Sequence, residues 1–169
     1  MALVCVATGL QAEYVHDITD RQLKAEMIVR MLRLVTWPPA AQSAAPLAVT
    51  VIGDGGLADA LRVAASGQRV DGRPLVVAQV PTLAQLPAAP PSVVVLAASQ
   101  RASAPALSRA FLQQTVLTIG EGEGMGLAGL IIGVYVDGDR IRFDANTGAA
   151  SRAGLSLSSH LLRLARIVG

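Results

Sequence analysis

Four short apolar runs rich in β-branched residues, at 48–52, 74–80, 92–97 and 115–119, recur along the chain with helix-compatible stretches between them. Their apolar character on both faces predicts strands covered on both sides, as in a largely parallel sheet, because a half-exposed strand would alternate apolar with polar residues. The intervening stretches at 57–65 and 103–113 suit helices, and 82–86 suits a short turn. Alternation of this kind specifies an α/β fold. In 169 residues it leaves room for one domain.

Two further elements flank that core. Thr19 and Gln22 have the spacing of a capping box, and Leu23, Met27, Met31 and Leu34 with Ile28, Leu32 and Val35 form a helical stripe that Trp37-Pro38-Pro39 terminates. At the other end Leu130, Ile132, Val134 and Val136 alternate with other residues, and Ile141 and Phe143 alternate with Arg140 and Arg142. With Asp137-Gly138 as a two-residue turn, Val134 is expected to pair with Ile141, Ile132 with Phe143, and Tyr135 with Arg140. A final helix over 156–167 is expected to bury Leu157, Leu161, Leu162, Leu164, Ala165 and Val168 and to expose Ser159, His160, Arg163 and Arg166. The predicted architecture is a mixed, largely parallel sheet flanked by helices, closed by a C-terminal β-hairpin and a last helix.

Composition narrows the function. Apolar residues make up 52% and charged residues 15%, so the chain folds. Aromatic residues are 3%, too few to build a stacked nucleic-acid surface, and a net charge of +2 is far from the clustered excess that duplex binding requires. Between residues 140 and 169, however, Arg140, Arg142, Arg152, Arg163 and Arg166 face only Asp144, so this end is locally basic. No apolar run approaches the roughly 18 residues of a membrane span.

The N-terminal segment 2–12, uncharged and apolar, precedes a polar stretch and ends in Gln11-Ala12. It reads as the remnant of a secretory signal lacking its basic leader, the alternative being an edge strand; the domain itself is expected over 19–169. Cys5, the single cysteine, lies in this segment, so no disulfide is available within one chain.

No motif supports catalysis. Gly53, Asp54, Gly55 and Gly56 follow a strand, open a helix and fit the relaxed dinucleotide pattern G-x-G-x-x-A, yet the acid expected at the end of the second strand is missing. The turn reads either as a tight strand-to-helix reversal or as an anion or nucleotide site on exposed amides. The segment 120–126, with glycine at alternate positions and Glu121 and Glu123 between them, has no Walker lysine and reads as a mobile loop. Ser156, Ser158, Ser159 and His160 are adjacent in sequence without forming a triad, and two histidines with one cysteine give no metal-ligand spacing. The chain is read as a non-enzyme without cofactor or metal.

The order of these landmarks resembles the YfiR family over about residues 20–168. The matching pieces are Trp37-Pro38, Val49-Thr50-Val51-Ile52-Gly53-Asp54, Val70-Asp71-Gly72-Arg73-Pro74, Val116-Leu117-Thr118-Ile119-Gly120 and Gly129-Leu130-Ile131. They continue with Arg140-Ile141-Arg142-Phe143, Asn146, Ala153-Gly154-Leu155-Ser156-Leu157-Ser158 and Leu161-Leu162-Arg163-Leu164-Ala165. The resemblance implies a periplasmic regulator, often dimeric, that represses a membrane-bound diguanylate cyclase through its periplasmic sensor domain and so lowers cyclic-di-GMP output and biofilm formation. The chain departs from the family in having no cysteine after Ala12, which removes an internal redox disulfide, and in carrying Ile132 and Gly133 where a polar and an aromatic residue are usual. Under this resemblance the candidate contacts are Arg140 and Arg142 on the hairpin and His160 and Arg163 on the last helix. Trp37 is either an aromatic anchor or a buried cap on the first helix. The competing expectation is a small-ligand or nucleotide-binding domain that uses the turn at Gly53, Asp54, Gly55 and Gly56.

Overall fold

A computed structural model describes residues 7–41 and 44–169, with the backbone alone described for residues 7–19 and 40. Helix α1 (Ala7–Leu32) leads into a two-residue strand β1 (Val35–Thr36), then β2 (Leu47–Ile52) and α2 (Gly55–Ala65). A hairpin follows, β3 (Arg69–Val70) and β4 (Arg73–Val80), then β5 (Val93–Leu96), α3 (Ala104–Ala110) and β6 (Leu117–Glu121). The chain closes with β7 (Ile132–Asp137), β8 (Arg140–Asn146), α4 (Thr147–Arg152), β9 (Ser156–Leu157), α5 (Ser159–Leu164) and β10 (Arg166–Val168).

Eight strands form one sheet in the order β10-β8-β7-β6-β5-β2-β4-β3. Pairs from β4 through β2, β5 and β6 to β7 are parallel, and only the β7–β8 and β3–β4 hairpins are antiparallel. The largely parallel sheet expected from the four apolar runs is therefore present. Both of its faces are covered. Val49, Val51, Val93, Val95, Leu117 and Ile119 face α1, α2 and α4, while Ile52, Val94, Leu96 and Val116 face α3 with Met125 and Leu130. Alternate residues of β5, all buried, thus serve two different cores, which is why its sequence shows no polar alternation.

Three local expectations are corrected. Helix α1 begins by Ala7, so Thr19 lies inside it and not at its N-terminus; no proline between these positions interrupts the helix. The signal-like segment falls partly outside the described residues and partly within the first turns of α1.

The hairpin register is shifted: Val134 pairs with Phe143, Tyr135 with Arg142, Val136 with Ile141 and Asp137 with Arg140. The loop is Gly138-Asp139, with Gly138 at φ 63 and no positive φ at Asp139, the pattern of a type II′ turn led by glycine. Asp71-Gly72 by contrast, with φ 49 and 77, supplies the turn with two positive φ values that an Asp-Gly pair favours, and it joins β3 to β4. Because the shift moves each partner by two residues, every side chain keeps its face.

The single last helix is also replaced. Ser156 and Leu157 pair with Thr36 and Val35, and Ser158 caps α5 by accepting from the Leu161 amide at 3.1 Å. Beyond Leu164 the chain extends, since β-branched Ile167 and Val168 lie beside Ala145 and Asn146 in β8. Of the six residues expected to be buried, only Leu161 is fully so; Leu164 is 64% exposed.

Candidate functional site

The first strand of the parallel set, β2, lies between β4 and β5, so the winding direction reverses between β2 and β5. Loops leaving the carboxyl ends of these two strands diverge at that point and leave a crevice, the position where open α/β sheets place ligands. Here the crevice is an open cleft of about 600 Å³ lined by Arg21 and Lys24 of α1, Gly53 and Asp54 after β2, Ser99 and Gln100 after β5, and Glu121 at the end of β6. Gly53 has φ 104, and a Cβ there would stand 2.8 Å from both Ser99 Oγ and Gln100 Cγ, so this turn admits only glycine.

The charges in the cleft are already engaged by one another. Asp54 Oδ1 accepts from the Gly56 amide at 2.8 Å and so caps α2, and its Oδ2 lies 3.3 Å from Arg21 Nε. Lys24 Nζ donates to Glu121 Oε1 at 2.7 Å, and Glu121 Oε2 accepts from the Ala98 amide at 3.0 Å. The amide at the start of α2 that an anion would use is thus taken by the chain's own carboxylate. Gly55 and Gly56 form the first turn of α2; a Cβ on Gly55 meets nothing within 4 Å, whereas one on Gly56 would press on the Arg21 guanidinium.

The C-terminal candidates lie at the far edge of the sheet, with β5, β6 and β7 between β2 and β8. Arg140 and Arg142 are exposed on β8, Arg142 Nε 3.3 Å from Asp137 Oδ2 across the hairpin. His160 and Arg163 are exposed on α5, with Arg163 Nη2 3.5 Å from His160 Nδ1. Helix α5 feeds β10 at the level of Asp144, so its end and the outer strand of the hairpin share one edge. Exposed Leu164 and Ile167 lie on the same elements. Trp37 is 2% exposed and packs in the core between α1 and the sheet; of its two readings the buried cap is the one the structure adopts, and it presents no docking surface.

Arg166, expected on the outer face of a helix, instead sits on β10. Its Nε and Nη2 donate to Asp144 Oδ1 and Oδ2 at 2.8 and 3.2 Å, and Nη1 donates to Glu123 Oε1 at 3.2 Å. Asp144 is 0% exposed, so the guanidinium supplies the charge that a buried carboxylate requires. The same guanidinium lies 5.3 Å from the centre of the Tyr135 ring. Its pKa is raised, chiefly by the hydrogen bonds to Asp144 and Glu123. The Tyr135 phenol is raised above its ordinary value by desolvation first and by the Asp144 charge second, against the opposing pull of Arg166.

The glycine-rich segment is a packed loop: Asn146 Nδ2 donates to Gly126 O at 2.8 Å, and Arg101 Nη2 donates to Glu123 O at 2.9 Å. A Cβ on Gly126 would stand 2.7 Å from Val168 Cγ2 and 3.0 Å from Asp144 Cβ. Alternating glycines here allow close approach. Among the described residues no group of three or more His, Cys, Asp or Glu gathers where a metal would bind, and no helix is long and apolar enough to cross a membrane.

Comparison with known proteins places this geometry. Residues 21–166 match the model of the family described as YfiR/HmsC-like. A solved structure of a conserved domain protein from Vibrio cholerae O1 biovar El Tor strain N16961 superposes with a TM-score of 0.60 at 15% identity, covering 88% of this chain. This chain spans 60% of that one, and the likeness concerns the fold. No curated protein sequence matches. The family match covers most of the chain, including β2, the hairpin and α5; the chain belongs to the YfiR/HmsC-like family.

Proposed function

We propose that the protein is a non-enzymatic repressor that binds the periplasmic sensor domain of a membrane-bound diguanylate cyclase and lowers its cyclic-di-GMP output, and with it biofilm formation. The observation that carries this reading is the family match across residues 21–166. In this reading the apolar segment at 1–12 belongs to the signal that directs export.

The contact surface is the edge formed by β8, α5 and β10. Arg140 and Arg142 stand exposed on β8 and His160 and Arg163 on α5, and exposed Leu164 and Ile167, the latter 57% exposed, lie on α5 and β10. Arginine beside desolvatable apolar side chains is the composition that concentrates binding energy at protein interfaces. The test is titration of the full chain against the purified sensor domain, with Arg140→Ala and Arg142→Ala combined. The expected result is a rise in Kd of about tenfold or more, equivalent to about 1.4 kcal/mol, with an unchanged urea midpoint. An unchanged Kd removes these arginines from the interface, and a lowered midpoint with unchanged Kd assigns them to structure.

A second reading, a small-ligand or nucleotide site at the Gly53–Asp54–Gly55–Gly56 turn, is favoured by the cleft at the reversal of strand order. Gly55→Glu is a clean probe because it meets open space. Saturable heat on titration with nucleotides or small anions, abolished by that substitution, supports the ligand site; its absence favours the repressor.

A further inference from the structure

The two edges of the sheet are guarded differently. On one side the outermost strand, β10, has three residues and is fastened by Arg166. On the other side β3 pairs only with Arg73 and Pro74 of β4. Among the described residues, Leu75 to Val80 of β4 have β2 on one side and no strand on the other. The Val80 carbonyl accepts from the Gly53 amide, on the β2 side, at 2.9 Å. Backbone groups alternate in direction along a strand, so those of Leu75, Val77 and Gln79 point outward. Charge and proline, two of the usual guards of such an edge, are absent from residues 75–80. Val76, 51% exposed, and Ala78, also exposed, share the face away from α2.

Beside this edge the charge is one-sided. An open hollow of about 320 Å³ lies between β4 and the end of α2, lined by Leu75, Val77, Gln68, Arg62 and Arg69. Arg33 of α1 donates to Gln68 Oε1 and so stands beside it. Arg69 Nη1 donates to Gly72 O at 2.7 Å, and Arg62 Nη1 to Asp59 Oδ1 at 2.5 Å. Among the described residues, Asp59 is the one carboxylate in ion-pair contact with these three guanidiniums. The Val63 and Ala65 carbonyls at the end of α2 accept from the Ser66 and Gln68 amides at 3.2 and 3.0 Å, so the arginines set the sign of the hollow.

We infer that the outer edge of β4 takes an extended segment of a different protein as an added strand, with an acidic side chain of that segment in the hollow. This surface lies at the opposite end of the sheet from β8 and β10 and stands independently of the repressor reading. Facing residues of paired strands share a face. The residue opposite Leu75 or Val77 is therefore on the α2 side, at Arg62 and Arg69, and is acidic; those opposite Val76 and Ala78 are apolar. The outward groups of Leu75, Val77 and Gln79 supply affinity whatever the sequence, while the hollow and the two exposed side chains select this alternation. A second copy of the chain does not meet that pattern. No charged residue occurs between Arg73 and Arg101, so its own β4 brings no carboxylate to the arginines.

The probe is a fluorescein-labelled peptide, Ser-Val-Glu-Val-Glu-Val-Thr, titrated with the full chain and followed by anisotropy. It should bind saturably, at least about tenfold tighter than the same peptide with lysine for glutamate, and lose affinity as salt rises. Arg62→Ala combined with Arg69→Ala should raise its Kd about fivefold or more with an unchanged urea midpoint. Arg140→Ala with Arg142→Ala should leave that Kd unchanged. An added strand bonds through every second amide, so N-methylation of one alternate set of peptide amides should abolish binding and that of the other set preserve it. No saturable binding, equal affinity for the lysine peptide, a Kd indifferent to the loss of Arg62 and Arg69, or indifference to both methylated sets overturns the inference. So does a wild-type dimer that Ala78→Lys dissociates, which puts a second copy on the edge.

Discussion

Asn146 joins three parts of the molecule, and its replacement has a cost that can be worked from contacts. It ends β8, is buried, and caps α4 by accepting from the Ala149 amide at 2.8 Å. Its Nδ2 donates to Gly126 O at 2.8 Å, tying the glycine-rich loop to the hairpin. In Asn146→Ala the cap is lost, at about 1 kcal/mol. The Gly126 carbonyl keeps its bond from the Gly129 amide, so losing the second donor costs a further ~1 kcal/mol and not the full penalty of an orphaned group. The expected total is about 2 kcal/mol, a fall in Tm of roughly 4–8 °C for a chain of this length. Asn146→Ser retains an acceptor for Ala149 but cannot reach Gly126, and should recover about 1 kcal/mol. Urea unfolding followed by circular dichroism reads both as midpoint shifts at constant m. An alanine variant within ~0.5 kcal/mol of wild type, or a serine variant no better than alanine, would refute the assignment.

Gly126→Ala drives a methyl into Val168 Cγ2 and Asp144 Cβ and should destabilise by about 1–3 kcal/mol on the same urea assay; a neutral result would mean that β10 moves aside freely. The Tyr135 phenol holds its proton more tightly folded than unfolded, so its contribution to stability is complete below pH 10.0 and is lost as pH rises through the higher folded value. Ultraviolet titration in a Tyr14→Phe background should find the folded transition above that of the urea-unfolded chain. Removing the opposing charge by Arg166→Met should move it further up, and a downward move would contradict the attribution.

What the sequence reveals is set by the range of the forces involved. Strands β2, β4, β5 and β6 announce themselves because burial on two faces writes a continuous apolar run, and α2 because its apolar stripe lies next to a glycine turn. The hairpin was readable in its faces but not its register, since Asp137-Gly138 and Gly138-Asp139 both suit two-residue turns and differ only in which position carries the positive φ. The last helix shows a real helical stripe at 157–165, yet pairing of β9 with β1 and of β10 with β8 outweighs it; those partners lie far off in sequence. Site chemistry is harder still. Lys24 finds Glu121 across 97 positions, and Arg166 reaches back to Asp144 and Glu123. Nothing local in either sequence neighbourhood marks those pairs. Exposed Arg140, Arg142, His160 and Arg163 were legible because a helix cap and strand alternation decide exposure locally, whereas Trp37, at a helix end beside two prolines, fitted a buried cap and an exposed anchor equally.

In the proposed function this domain controls a membrane enzyme by touching it. The most direct test of this control is cyclic-di-GMP in cells that contain the cognate cyclase, measured with the chain exported, absent, or exported as the Arg140→Ala/Arg142→Ala pair. A low level is expected with the wild type and a high level without it, with the double variant restoring most of the difference. Equal levels with and without the exported chain would contradict it.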